Sequence, residues 1–166
     1  MKILKLLIRN TFVAIALSAC INIIFLCLAG NFGIYWMGPI WSDKILEGES
    51  KSILINWLTI AGVTIFPLFL CFLVGRKILR RSENMFINIF SILALMIIHI
   101  LGALRLYGEK TWLPVVLTPP LSPLAETIAY FSPIEIEPAY LIVSILPSLT
   151  MWAGLRRASY QDKFSD

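Results

Sequence analysis

The chain has 166 residues, of which 58% are hydrophobic and only 14% are charged, and its mean hydropathy is +0.83. Water-soluble domains carry a much larger share of charged residues, so this composition excludes an ordinary soluble enzyme or binding domain. The net charge of +4 would suggest an anionic partner in a soluble protein, but here the positions of the basic residues explain it, and no nucleic-acid partner is predicted.

Four long apolar runs account for most of the chain, and none of them contains Asp, Glu, Lys or Arg. A helix rises about 1.5 Å per residue, so about 20 apolar residues cross the hydrocarbon core of a bilayer. The sequence therefore predicts an all-α integral membrane protein whose single transmembrane domain is a four-helix bundle. The predicted spans are 11–30, 53–75, 85–104 and 138–155, with loops at 31–52 and 105–137 and a linker at 76–84.

The basic residues are distributed unevenly between the two ends of the spans. Ten of the 14 lie before the first run, in the linker 76–84 or after the fourth run, whereas the two loops hold the other four. Basic residues close to span ends are retained on the cytoplasmic side of a membrane. We therefore expect both termini to be cytoplasmic and both loops to be external.

A short segment of the first run has a second interpretation. Leu17-Ser18-Ala19-Cys20 follows a basic N-terminal stretch and resembles the lipobox of a bacterial lipoprotein signal peptide. This resemblance implies a bacterial cytoplasmic membrane, a lipidated Cys20 and removal of residues 1–19. The apolar run continues through Leu28 and is long enough to span, so we favour an uncleaved first helix and keep lipidation as the alternative.

The chain divides into two helical hairpins that share several features. In each hairpin a proline inside the second helix is followed by a glycine and then by two basic residues, and Asn10 and Asn84 precede the first helix of each. A parallel internal repeat would explain these features, and so would chance similarity among apolar helices; both interpretations stay open. The shared residues are Pro67, Gly75 and Arg76-Lys77 in one hairpin, and Pro147, Gly154 and Arg156-Arg157 in the other.

Each run also carries polar or small residues at helical spacing, which form a stripe along one face. Lipid-facing surfaces do not need such residues, whereas small residues let helices approach closely and polar ones hydrogen-bond across the interface for about 0.6 kcal/mol each. We expect the four stripes to face one another. Their members are Thr11, Ala14, Ser18, Asn22 and Ala29; Asn56, Thr59, Val63 and Pro67; Asn88, Ser91, Leu95, His99 and Gly102; and Tyr140, Ser144, Ser148 and Met151.

The loop 105–137 is too apolar to be a free polar linker, and its prolines forbid one continuous helix. Ser122 is a suitable N-cap and Pro123 a suitable first position for a short helix that ends near Phe131. We expect this external segment to lie at the membrane interface or over the bundle, where it would form a lid or a docking surface. Trp112 is its candidate binding residue.

Candidates for chemistry are few, and no catalytic motif is present. His99 is the only histidine and lies within a predicted span, where ionisable residues are functional candidates. Arg105 lies at the outer end of the same helix, and Glu126 could approach Arg105 if the loop 105–137 folds back. His99 and Glu126 are the weak catalytic candidates, with Arg105 and Asn88 as candidate binding residues. We interpret Cys27 and Cys71 as buried small apolar residues, and the sequence indicates no metal site or cofactor.

Three functions are compatible with this pattern. The leading hypothesis is a non-enzymatic subunit or accessory protein of a membrane complex, whose partners are membrane lipids and a second protein or another copy of the chain. The alternatives are a small homo-oligomeric transporter or channel that uses the polar stripes around His99, and a membrane enzyme that uses His99, Arg105 and Glu126 at the outer face.

Overall fold

The computed structural model describes residues 2–31, 50–105 and 121–158, and five helices account for most of these residues. Four of the helices are long and apolar enough to cross a membrane, which confirms the all-helical membrane fold that the sequence predicts. The fifth is the short helix predicted between the last two spans. In chain order the helices are α1 (Lys2–Asn31), α2 (Ser50–Lys77), α3 (Met85–Arg105), α4 (Ser122–Phe131) and α5 (Ile136–Arg156).

The helices extend beyond the predicted spans, most of all at the start of α1, which begins at Lys2 instead of residue 11. Charged residues limit how far a segment enters the hydrocarbon core, but they do not break a helix. The first ten residues contain no proline or glycine, so the helix continues through Lys5 and Arg9 without interruption. Helix α2 likewise continues through Arg76 to Lys77 before it ends, because charged residues do not break a helix.

Helix α5 is at the centre of the bundle, because it packs extensively against α2 and α3 and also against α4. Helix α1 packs against α3 and α2 on the other side of the bundle. The main apolar core unites these helices with the linker between α2 and α3. Its buried residues are Ala14, Ile21, Phe25, Cys71, Val74, Leu79, Ile92, Leu95, Met151 and Leu155.

The prediction that the stripes face one another is confirmed for the described side chains. Buried members come from all four spanning helices, whereas large apolar side chains such as Phe12 and Phe86 point outward on the faces available to lipid. Cys71 is buried as expected, but Cys27 is exposed, so the burial assigned to it was wrong. Cys27 lies on an outward face of α1, where hydrocarbon surroundings suit a small apolar side chain as well as a core does.

Two glycines allow a close approach between the parallel helices α2 and α5 where they cross. A Cβ atom on Gly75 would lie 1.9 Å from the backbone oxygen of Met151, and one on Gly154 would lie 2.1 Å from the backbone oxygen of Phe72. The contact is reciprocal, because each glycine meets the residue three positions before the other glycine. It is therefore a local twofold arrangement, of the kind that small residues permit between membrane helices.

The short helix α4 begins one residue earlier than the sequence suggested. Ser122 is its first residue, and the N-cap position is held by Leu121, whose side chain is buried. Leu121 packs with Ala139 and Val143 of α5, so apolar burial, and not a side-chain cap, determines where α4 starts. At the other end of α4 the ring of Phe131 stacks on Trp57 of α2, with their centroids 5.9 Å apart.

We predict that Gly75→Ala and Gly154→Ala each lower the free energy of unfolding by about 1–3 kcal/mol, the usual cost of overpacking a tight core. The added methyl group meets backbone atoms, which cannot rotate away as a side chain can. Unfolding by sodium dodecyl sulfate in mixed micelles, followed by circular dichroism, measures this loss.

Gly62→Ala is the matched control, because a Cβ at Gly62, in the same helix as Gly75, would have no atom within 4 Å beyond the adjacent helix backbone. Alanine favours a helix over glycine by up to about 1 kcal/mol, so this variant is expected to be as stable as the parent or slightly more stable. Equal losses for Gly62→Ala and Gly75→Ala would contradict the close crossing.

Candidate polar site in the bundle

His99 lies at the centre of the bundle and is only 1% exposed. It belongs to the inward stripe of α3, where Leu95 and Ser91 occupy the preceding turns and are also buried. Helical spacing places these side chains on one face, and the packing of α1 and α5 against α3 encloses that face. The intramembrane histidine is therefore a core residue within the described structure.

Two serines from different helices pair with the two ring nitrogens of His99. The Nε2 atom lies 3.1 Å from the hydroxyl oxygen of Ser18 in α1, and Nδ1 lies 3.2 Å from the hydroxyl oxygen of Ser148 in α5. In a neutral imidazole one nitrogen donates and the other accepts, so one hydroxyl accepts from the ring and the other donates to it. We call these three residues the Ser–His–Ser bridge, and it ties α1, α3 and α5 together.

The bridge uses the hydrogen-bonding capacity of a neutral imidazole ring. Serine hydroxyls satisfy the ring without a charge, which suits a site enclosed by apolar side chains. For Glu126 to act with His99 as an acid–base pair, its carboxylate would have to lie within hydrogen-bond reach of the ring. Among the described residues no group of three or more metal-binding side chains could hold an ion.

Of the other candidate catalytic and binding residues, only Glu126 and Asn88 have side chains within the described structure. Glu126 is half-buried on α4, which packs against α5 and α2, whereas His99 is on α3. Arg105 is the last residue of α3, but its side chain is outside the described part of the structure, as is the whole of Trp112. A site that unites His99 with Arg105 and Glu126 therefore stays a prediction.

Asn88 shares a stripe with His99 but contacts the linker between α2 and α3. It lies 11 residues from His99, about 16 Å along the helix. Its side-chain oxygen accepts from the backbone amide of Ser82 at 2.8 Å, and its side-chain amide donates to the backbone oxygen of Ser82, also at 2.8 Å. The structure thus shows Asn88 holding the linker between α2 and α3.

Asn10 makes the same double contact from α1. Its side-chain amide donates to the backbone oxygen of Arg80 at 2.8 Å, and its oxygen accepts from the backbone amide of Arg80 at 3.2 Å. Asn10 is completely buried, although helix α1 carries charged residues close by in sequence. The two asparagines, which we call the asparagine clamp, fix the linker to both hairpins.

The contacts of the clamp change which asparagines correspond to each other in the two hairpins. Asn10 and Asn84 were paired as the residues that precede each first helix, but Asn84 caps the start of α3 by accepting from the amide of Phe86 at 2.9 Å. Asn10 lies inside α1 and contacts the linker, so its counterpart in structure is Asn88. An amide side chain beside an apolar run is the sequence signal that could have pointed to this role.

No family model, no curated protein and no solved structure matches this chain.

We predict that Ser18→Ala and Ser148→Ala each lower the free energy of unfolding by about 0.6 kcal/mol, the usual value of a hydrogen bond between membrane helices. His99→Ala loses both bonds and leaves a cavity, so it is expected to cost about 2–5 kcal/mol, as large-to-small core substitutions do. Mixed-micelle unfolding measures all three variants. Thr150→Ala is the control, because that hydroxyl bonds only the backbone oxygen of Pro147 in its own helix; a loss as large as that of His99→Ala would contradict the bridge.

We predict that Asn10→Ala raises the hydrogen-exchange rate of the Arg80 amide at least about tenfold, because a bonded amide exchanges only through local opening. Asn88→Ala is expected to have the same effect on the Ser82 amide. Exchange followed by mass spectrometry in detergent measures both. Asn84→Ala is the control: it should release the Phe86 amide and leave Arg80 protected, and general release of the linker by all three variants would show that the clamp has no specific role.

Proposed function

We propose that this protein is a non-enzymatic subunit or accessory protein of a membrane complex. It would lie in the cytoplasmic membrane of a bacterium with both termini in the cytoplasm, as the distribution of basic residues indicates. In this proposal the bundle is a rigid support, and the partner protein binds at the end that carries α4.

The Ser–His–Ser bridge is the observation that carries the proposal. The one histidine in the spans is enclosed, and its two nitrogens bond serines of neighbouring helices. Such a bond stabilises helix association, and stabilisation is a sufficient role for a buried histidine in a membrane protein. The asparagine clamp has the same structural role, because its two polar side chains bond the backbone of the linker.

Helix α4 supplies the surface for a partner. It rests on α5 and α2 through buried small and apolar residues, which hold it in place. Its far end presents the rings of Tyr130 and Phe131, both exposed, beside the exposed indole of Trp57. Aromatic side chains are enriched at the centres of protein interfaces, because they bury large areas at little cost in conformational entropy.

Native mass spectrometry of the full chain, extracted in mild detergent from its own membrane, tests this proposal. We expect a stoichiometric complex with a second polypeptide. Phe131→Ala and Tyr130→Ala should each reduce the bound fraction about tenfold or more, as the loss of an aromatic hot-spot residue does. Phe90→Ala is the matched control, since Phe90 is equally exposed but lies on a lipid-facing side of α3.

Two results would speak against the subunit function. One is a monomer or a homo-oligomer that carries no other polypeptide. The other is a complex that Phe90→Ala disrupts as strongly as Phe131→Ala, because binding would then not depend on the aromatic end of α4.

A second function, that of a small transporter, is favoured by the continuity of the bridge. Three groups with exchangeable protons adjoin one another across three helices, and such chains carry protons through membrane proteins. Reconstituted vesicles with an imposed pH gradient test it: a transporter would dissipate the gradient, and His99→Gln, which keeps an amide donor and acceptor but cannot titrate, would abolish that activity. Gradient loss in His99→Gln vesicles equal to that of the parent would contradict transport through His99.

A further inference from the structure

An apolar groove runs between the spanning helices α3 and α5. It has a volume of about 240 Å³, and all but one of its lining residues are apolar. Because α3 and α5 run in opposite directions, Ile89 and Trp152 lie toward the linker, while Met96 and Ser148 lie toward the middle of the membrane. The lining residues are Ile89, Ile92, Leu93, Met96, Ser148, Leu149 and Trp152.

A positively charged side chain lies next to the groove at its linker end. The guanidinium carbon of Arg156 is 5.0 Å from the centre of the Trp152 ring, which itself forms part of the groove wall. Arg156 is exposed and lies one helical turn beyond Trp152. The groove therefore matches a phospholipid part by part. The apolar wall matches the acyl chain, the indole matches the ester region, and the cation matches the phosphate.

The glycine crossing brings further basic residues to the same end of the bundle. Because Gly75 and Gly154 bring their helices into backbone contact, Arg76 and Lys77 end α2 beside the end of α5. Both side chains are exposed, as are those of Arg156 and Arg157. Two helix ends thus contribute four cations to one region. The nearest described acid in the sequence is Glu83 of the linker, which also carries Arg80 and Arg81.

From this arrangement we infer a binding site for one anionic phospholipid. One acyl chain lies in the groove between α3 and α5, and the phosphate pairs with Arg156 beside Trp152. The walls extend from Ile89 to Met96, about 10 Å along α3, which accommodates the upper part of an acyl chain. A phospholipid fits the combination of a hydrocarbon groove within the membrane and a cation at its end, whereas a polar solute would fit only the cation.

Ser148 is one of the groove's lining residues, and its hydroxyl bonds Nδ1 of His99. The bound acyl chain would therefore cover the Ser–His–Ser bridge from the lipid side and keep water from it. This inference does not depend on the proposed partner protein, because the groove and the aromatic end of α4 involve different residues.

The experiment is native mass spectrometry of the full chain released from nanodiscs that contain equal amounts of phosphatidylglycerol and phosphatidylcholine with matched acyl chains. We expect one retained lipid, with phosphatidylglycerol favoured about fivefold or more, which is the effect of one cation close to an anionic headgroup. Arg156→Gln should remove that preference. Arg157→Gln removes the same charge one residue away, where the guanidinium lies over Phe72 instead, and should keep it.

The groove itself is tested by filling it. Met96→Trp should reduce retention of either lipid about fivefold or more, whereas Ile97→Trp, at the neighbouring exposed residue outside the groove, should not. Circular dichroism establishes that each variant is folded, and Leu149→Trp replaces Met96→Trp if that variant does not fold.

Three outcomes would overturn the inference. The first is equal retention of the two lipids by the parent chain, which would show that Arg156 does not select a headgroup. The second is equal loss in Arg156→Gln and Arg157→Gln, which would show diffuse attraction to the whole basic region. The third is a lipid-free dimer, which would show that a second copy of the chain occupies the groove.

Discussion

The close contact between α2 and α5 at Gly75 and Gly154 is the constraint on which the rest of the bundle depends. Within hydrocarbon there is no hydrophobic force to bring helices together, so close packing and polar contacts must stabilise their association. The two glycines supply the close packing, because a side chain at either position would collide with the backbone of the other helix. Helix α5, held in this way, then offers its remaining faces to α3 and α4.

Polar contacts complete what close packing begins, and they lie at two levels of the bundle. At the middle level the Ser–His–Ser bridge connects three helices. At the linker level Asn10 bonds the backbone of Arg80 and Asn88 bonds that of Ser82. The linker is therefore part of the packed structure and not a loose connection. The bridge and the clamp both use neutral side chains, whose burial costs much less than that of a charged group.

The spanning helices and their inward faces could be predicted from the sequence because hydrocarbon imposes a simple rule on composition. Long runs without charge become helices, and polar stripes become interfaces, as the burial of Ser18, His99 and Ser148 shows. The same rule does not locate helix ends. The start of α1 at Lys2 and the cap of α4 at Leu121 depend on the absence of breaking residues and on tertiary burial, which a hydropathy pattern does not record.

The candidate site could be predicted only in part, for a related reason. A stripe indicates which residues face inward, but it contains no information on which helix each residue meets. His99 was recognisable as an inward polar residue, whereas its pairing with one serine of α1 and one of α5 depends on the order of helices around the bundle. The groove beside Ser148 and Trp152 depends on that order as well, since its two walls come from separate helices.

The glycine crossing has one more consequence, which concerns how the two hairpins recognise each other. Its two glycines come from different hairpins, and the histidine bridge likewise joins α1 of the first hairpin to α3 and α5 of the second. These specific contacts are thus between the halves of the chain. Each half resembles one subunit of a parallel dimer whose interface happens to be joined by a linker. Two separately synthesised halves would carry the complementary surfaces needed to recognise each other in the membrane.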